Sequence, residues 1–290
     1  MTLLVRDEAD IVRENIEYHL ARGVDHIIAT DNASSDGTSE ILEEFERAGC
    51  LSLFREPSND YLQEEWVNRM IEIVREQYPD AWIINNDADE FWRPPDREGG
   101  SPGNLKIELA NAKTPSVICY RHNMITSVEN LGRGHWSEAL VWRARKPIDW
   151  PREVNIREHP LAYPYFLYNL PHKVLVNTKG LIRVQKGSHT ASHENGASPA
   201  HSAIQIYHYP IRSRIEFEKS VERIADALRR NPPPGNTSAK YIRWGNMLVK
   251  HGAIDAVLKD ALPTQTQLLK LRLLKGVERD ARLISDLLRC

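Results

Sequence analysis

The chain has 290 residues, 41% hydrophobic and 27% charged, enough to bury a full core in one large domain or one domain with an appendage. Its formal net charge of -2 lacks the basic field that nonspecific binding to a polyanion needs, which argues against nucleic acid as a partner. Three widely separated cysteines, Cys50, Cys119 and Cys290, fit reduced thiols better than a disulfide framework.

The N-terminus turns charged at Arg6, too early for the apolar core of a signal peptide, and no apolar run approaches the roughly 20 residues of a membrane span. The expected setting is cytoplasmic, with peripheral contact at the inner face of the membrane left open. Thr2-Leu3-Leu4-Val5 predicts a strand, Arg6-Asp7-Glu8 a loop, and the spacing of Ala9, Val12, Ile16 and Leu20 a helix that stops at Gly23. The unit repeats: residues 26–30 are strand-like, 31–38 are rich in turn formers, and Ile41, Leu42 and Phe45 line a helix ending near Gly49. Leu51-Ser52-Leu53-Phe54 is a third strand; Leu62, Trp66, Met70, Ile73 and Val74 form one face of a long helix that leads to Trp82-Ile83-Ile84, read as one strand buried on both faces. Such alternation predicts a parallel α/β sheet, whose ligands bind outside the carboxyl ends of its strands. Those ends carry Arg6-Asp7-Glu8, Asp31-Asn32 and Asp87-Asp89, and no GxGxxG or GxxxxGK[ST] follows any of them.

After Trp92 the pattern changes. Residues 93–103 form a Pro/Gly-rich loop beside the acids, either a flexible cover or a plain connection. Residues 104–210 mix short strand-like runs, at 116–120 and 173–176, with many histidines and aromatics. Helices follow at 215–229 and 241–251, separated by Asn231-Pro232-Pro233-Pro234-Gly235, and a Leu-rich segment spans 268–288. That last part reads as a bundle packed on the main domain. Alternatively, Leu268, Leu269, Leu271, Leu273 and Leu274, interleaved with Lys270, Arg272 and Lys275, suggest a dimerisation or membrane-surface element.

The stretch WIINNDADEFW, residues 82–92, runs apolar residues straight into Asp87, Asp89 and Glu90. In extended chain, positions two apart share a side, so Asp87 and Asp89 are expected to present two carboxylates to one point. Carboxylates at the end of a buried strand suit a hard divalent cation, Mg²⁺ or Mn²⁺, with room left for phosphate. The competing reading is an acidic surface loop; the apolar Phe91 and Trp92 count against it, because unpaired charge in such surroundings is costly.

TDNASSDGT (30–38) and NNDADEFW (85–92) resemble glycosyltransferases of the family 2 type with the GT-A fold, in the branch that also resembles family 92. The opening 36 or so residues are similar throughout, and HYPIRSRIEFEKS (208–220) resembles the group's C-terminal element, so that the resemblance spans residues 2–220. It implies an α/β fold: a Rossmann-like, mostly parallel sheet flanked by helices, with a C-terminal helical extension. The catalytic domain would cover residues 1–212, with a nucleotide-binding half (1–92) and an acceptor half (93–212), and a helical region would cover 213–290.

The resemblance also assigns roles. Asp31 would contact the nucleotide base or ribose, with Val5, Arg6 and Glu8 close by; Asn32 stands where many relatives carry a second acid. Asp87 and Asp89 match the DxD: Asp89 would bind the metal, Mn²⁺ or Mg²⁺, and Asp87 the ribose, or the metal through water. Imidazole is a reasonable further ligand, and among His189, His193, His201 and His208 the last, in the matching His-Tyr element, is preferred, with His189 second. A zinc pair His189/His193 is unconvincing beside Gly187, Ser188 and Ser192. Arg212 and Lys219 are helpers for the departing diphosphate, or simply solvated helix charges. An inverting transferase needs a base; Glu138, Asp149, Glu153 and Glu158 are the candidates, and none sits in a motif. Trp136, Trp142, Trp150, Tyr163, Tyr165, Phe166 and Tyr168 are either sugar-stacking surfaces or core.

The expected activity is therefore transfer of a hexose from a UDP- or GDP-sugar to a hydroxyl of a glycan, glycolipid or other acceptor. A sugar nucleotidyltransferase is the rival enzyme, but VRDEADIV lacks its Gly-rich loop; a phosphatase would place its nucleophilic Asp after the first strand. A non-catalytic sugar-binding homologue is the rival outside enzymes.

Overall fold

Beginning at the N-terminus, the expected alternation is realised as β1 (Thr2–Val5), α1 (Val12–Ala21), β2 (Ile27–Asp31), α2 (Thr38–Arg47), β3 (Leu51–Arg55) and α3 (Gln63–Gln77). The computed structural model describes residues 1–57, 63–151, 155–230 and 239–289; Leu62, Glu153, the proline run at 231–235 and Cys290 lie outside the described residues. Next come β4 (Trp82–Ile83), β5 (Asn85–Asp87), β6 (Glu90–Arg93), α4 (Leu105–Ala110), β7 (Ser116–Asn123), α5 (Trp136–Ala139) and β8 (Trp142–Ala144). The remainder runs β9 (Lys173–Asn177), β10 (Leu181–Val184), β11 (Ala191–His193), β12 (Ala200–His208), α6 (Arg214–Arg230), α7 (Ala239–His251), α8 (Ile254–Ala261), α9 (Gln265–Leu273), β13 (Val277–Arg279) and α10 (Arg282–Leu287).

The chain forms two compact units: Met1–His122 with Pro171–His208 and Ser285–Cys290, and Asn123–Leu170 with Tyr209–Ile284. In the first unit, β3-β2-β1-β5 make a four-stranded sheet in which every neighbouring pair is parallel. β2 lies inside it and is buried along its whole length, which is why its sequence opens on an unbroken apolar run rather than an alternation. Gly23, after α1, has φ +100°, and a Cβ there would meet Asn104 Nδ2 at 2.7 Å, so both conformation and space call for glycine.

Residues 82–93 depart from the expected single strand. β4 pairs antiparallel with β9 in a second sheet, ordered β4-β9-β7-β12-β6, whereas β5 pairs parallel with β1 in the first. Ile84 is the hand-over point, its carbonyl accepting the Thr2 N–H at 2.8 Å. The apolar half of the stretch goes to the core formed by Ile28, Met70, Val174 and Val176, while the Asn-Asn-Asp half takes the edge of the parallel sheet, where its side chains find polar partners. A turn at Ala88 and Asp89 then leads into β6, paired antiparallel with β12. The loop after β6 is closed on its own backbone, with Arg97 N–H donating to the Ser101 carbonyl at 2.9 Å and Gly103 against Pro94 and Pro95. It is a connection rather than a free cover.

In the second unit the C-terminal helices share one core with the middle of the chain: Ile125, Phe166 and Leu167 are buried together with Phe217, Val221, Trp244, Val257 and Leu258. The apolar residues of 123–170 are covered by α6 to α9, so this core takes residues from both sides of the expected boundary at residue 212. Trp244 is the centre of this core, with ring centroids of Tyr165, Phe166, Phe217 and Tyr241 all within 6 Å. Most of the aromatics considered for sugar stacking are packing residues here: Trp136, Phe166 and Tyr168 are buried, Tyr165 belongs to the core, and Trp150 stacks on Tyr168 at 4.5 Å, while Tyr163 is exposed. Cys50 and Cys119 are free thiols, and burial pushes the Cys119 thiol up to about 12. Among the described residues no helix is long and apolar enough to cross a membrane.

Candidate active site

The carboxyl ends of β1, β2 and β5 lie side by side in the first unit because these strands are parallel neighbours, with Val5 opposite Asp31 and Leu4 opposite Asp87. After β2 the chain is organised by its own short polar side chains. Asp31 accepts from the Ser34 N–H at 3.1 Å and from the Ser39 hydroxyl, so both carboxylate oxygens of this buried residue have protein partners. Asp36 accepts from the N–H groups of Ala9 and Thr38 and from the Thr38 hydroxyl. Partial burial works to raise its pKa, but these donors prevail and hold it below the usual carboxylate range. Glu8 donates its N–H to Thr38 Oγ1 at 2.8 Å, and Arg6 reaches the Asn32 side-chain oxygen at 3.5 Å. Val5, Arg6, Glu8, Asp31 and Asn32 therefore do form one neighbourhood.

The three acids of the DADE stretch do not converge on one point. Asp87 ends β5 and pairs with Lys173 Nζ at 2.7 Å. Asp89 sits in the turn, where strand alternation no longer holds, and its Oδ2 lies 3.3 Å from His208 Nε2. Glu90, fully buried, opens β6 directly opposite His208 on β12 and is flanked by two cations, Lys173 at 2.6 Å and Arg121 at 3.0 Å. Lys173 is itself 2% exposed; desolvation works to lower its pKa, yet the Asp87 and Glu90 charges outweigh that and leave it raised, hence protonated. Among the described residues, Asp89, Glu90 and His208 are the group that could hold a metal ion, with ligand atoms all within 4.8 Å.

Asn15 on α1 fixes the turn from behind. Its side-chain amide donates to the carbonyls of Ala88 at 2.9 Å and Glu90 at 2.8 Å, on either side of Asp89, and its oxygen accepts from Asn86. One turn on, His19 accepts the Trp92 N–H at 3.2 Å. Beside Asp87 a small cleft is lined by Val67 and Val184 and by polar groups including Asn68 of α3, Asn85, Lys173, Gln185 and Ser188. Asn85 takes the Thr2 hydroxyl on its oxygen, while its buried amide nitrogen has no hydrogen-bond partner among the described residues.

The other expected site residues are placed as follows. His189 stands outside the metal-competent group, its Nδ1 2.6 Å from the His172 carbonyl, with its pKa lowered by burial. Glu138, Asp149 and Glu158 are exposed residues of the second unit; Asp149 accepts from the Asn169 amide at 3.3 Å. Arg212 and Lys219 also belong to that unit, Arg212 donating to the Tyr209 carbonyl and Lys219 pairing with Glu216 at 2.8 Å. Arg121, Lys173 and Asn15 are the residues that motif reading passes over, and Glu90, one of the three acids of the stretch, is given no role of its own by it. The one signal for Lys173 is a lysine heading the apolar run Val174-Leu175-Val176, which demands a buried counter-charge.

No curated protein matches the chain. Among solved structures it is similar to TarS of S. aureus, with a TM-score of 0.38 and 12% identity over 86% of this chain and 42% of that one, so that it spans under half the length of that relative. It is also similar to the 1–349 fragment of TarS, with a TM-score of 0.37 and 13% identity over 93% of this chain and 77% of that one. The same fragment in complex with UDP gives a TM-score of 0.37 and 11% identity over 88% and 72%. Scores this low carry no further argument. The sequence model of glycosyltransferase family 92, in contrast, matches residues 2–230, from the head of the parallel sheet through α6. With most of the sequence inside that match, the protein belongs to glycosyltransferase family 92.

Proposed function

We propose that this protein is a metal-dependent glycosyltransferase of GT-A type that moves a sugar from a UDP- or GDP-linked donor to a hydroxyl of a glycan or glycolipid, with inversion. The observation that carries this reading is the approach of Asp89, two residues past the end of β5, to His208 at the end of β12, 3.3 Å apart. A carboxylate oxygen and an imidazole nitrogen this close suit Mn²⁺ or Mg²⁺, and Glu90, already balanced by Arg121 and Lys173, backs them rather than completing the set. When bound, the metal would stabilise the negative charge that develops on the departing diphosphate.

The chain's own residues supply the rest. Asp31 and its hydrogen-bonded loop give a fixed edge for base and ribose, and the cleft beside Asp87 offers amide donors and acceptors of the kind that polyhydroxylated groups require. Glu138, Asp149 and Glu158 remain the candidates for the base that takes the acceptor proton, and Arg212 and Lys219 those for the diphosphate. The Leu-rich chain end reads as a peripheral membrane contact in preference to a homodimer: Leu273 and Leu274 are 85% and 71% exposed beside Lys270 and Lys275, cations that would repel across a two-fold interface but suit anionic lipid.

Calorimetric titration with UDP and GDP, with and without Mn²⁺, tests the central claim. One of the two nucleotides is expected to bind in a metal-dependent manner, and Asp89→Ala and His208→Ala are each expected to weaken that binding by tenfold or more, of the order of 10–100-fold. Binding that ignores both substitutions would remove the metal assignment.

A further inference from the structure

Asp87, Asp89 and Glu90 place three carboxylates within four residues, and the protein sets two cations of its own against them. Lys173 Nζ lies 2.7 Å from Asp87 and 2.6 Å from Glu90, and Arg121 reaches the other Glu90 oxygen at 3.0 Å. Lys173 is 2% exposed and Glu90 fully buried, so this charge is held where water screens it little. The ammonium stands between two carboxylates from β5 and β6, the position a bridging metal would take. Asp89 and His208, 3.3 Å apart, are the members of the Asp89, Glu90 and His208 group that neither Lys173 nor Arg121 pairs with at these distances.

We infer that Lys173 is a built-in substitute for a second metal ion: it balances Asp87 and Glu90, restricts the site to one divalent cation at Asp89 and His208, and sets how strongly that cation is held. This is a positioning and charge-setting role, and it rests on the metal-dependent reading above. Opposite charges bridged by a fixed ammonium need no exchangeable ion, and a buried lysine cannot leave with product, so one part of the cluster stays assembled through the whole cycle.

The test is titration of the full chain with Mn²⁺ alone, followed by electron paramagnetic resonance of the free ion, with thermal unfolding as a check of folding. Lys173→Met removes the positive charge and is expected to tighten Mn²⁺ binding by about tenfold or more, or to raise the stoichiometry from one ion to two. Lys173→Arg keeps the charge and is expected to bind as the wild type does. The double variant Glu90→Gln/Lys173→Met restores the charge balance and is expected to return to wild-type affinity. A purely structural lysine predicts the reverse: weaker or unchanged binding in the folded single variant and no recovery in the double, and that result would overturn the inference. Should Lys173→Met not fold, Lys173→Gln, which removes the charge but keeps a hydrogen-bond donor beside Asp87 and Glu90, takes its place with the same expected and the same overturning result. Asp89→Asn separates the two levels, since Mn²⁺ binding that survives it refutes the metal site itself, whereas binding lost there but indifferent to Lys173 refutes only the role given to Lys173.

Discussion

His19 illustrates how a single buried side chain links the helix α1 to the acid turn. Its Nδ1 is 2.7 Å from the Asn15 carbonyl and its Nε2 accepts from the Trp92 backbone, an arrangement that requires the neutral ring. Burial lowers its pKa to about 3, with the Asn15 carbonyl opposing in part. Because the folded pKa lies below the unfolded value of 6.5, the contribution is fully present above pH 6.5 and is lost as pH falls towards 3, by about 1.4 kcal/mol per pH unit. Urea unfolding at pH 7.0 and 5.5 should show this loss in the wild type and a shallower one in His19→Gln; equal slopes would show that the ring is not the titrating group. Sequence reading singled out Asp31, Asp87, Asp89 and His208 from short motifs. It passed over Asn15, His19 and Lys173, because a polar residue inside a helix or heading a strand reveals its partner only once a distant segment is packed against it.

At the scale of elements, β1 to β3 and α1 to α3 were legible because each carries its own period and its own stop, Gly23 after α1 and Gly49 after α2. The division of residues 82–87 between two sheets was not, since an extended segment looks the same whichever neighbour it bonds to. The α9 segment shows the same limit in another form. Leu268 is buried and Leu271 packs against the same core, while Leu269, Leu273 and Leu274 are exposed, so the leucine run serves the core with two residues and leaves three outside. If these meet a membrane, each buried leucine contributes about 1.5–3 kcal/mol and each lysine about 1 kcal/mol near an anionic surface. Flotation with anionic vesicles should recover the wild type, less of Leu273→Ser/Leu274→Ser, and little of either with neutral vesicles. Absence of the wild type from the floated fraction would end the membrane reading.

Over the whole molecule, the last residues rejoin the first unit. Asp286, 3% exposed, pairs with Arg93 at 2.8 Å and Arg22 at 3.7 Å, and Arg93 also pairs with Asp96 at 2.5 Å. Burial works to lower the pKa of Arg93, but Asp286, Tyr207, Asp96 and Tyr18 together outweigh it and leave it raised. Asp286→Ala would leave two guanidinium groups buried with less compensation, and a loss of about 3–5 kcal/mol is expected. Denaturant unfolding checks the value, and a change within 0.5 kcal/mol, roughly that of an ordinary surface substitution, would show that the pairs are not needed.

The sequence by itself determined the parallel α/β start, the edge at which polar residues gather and the family resemblance, because these depend on local periodicity and short motifs. Only the tertiary structure decided that Asp87 and Asp89 part company, that Lys173 and Arg121 balance Glu90, and that residues 123–170 share a core with the C-terminal helices. Buried charges and cores are settled by which distant segments exclude water from one another, and no local pattern records that choice.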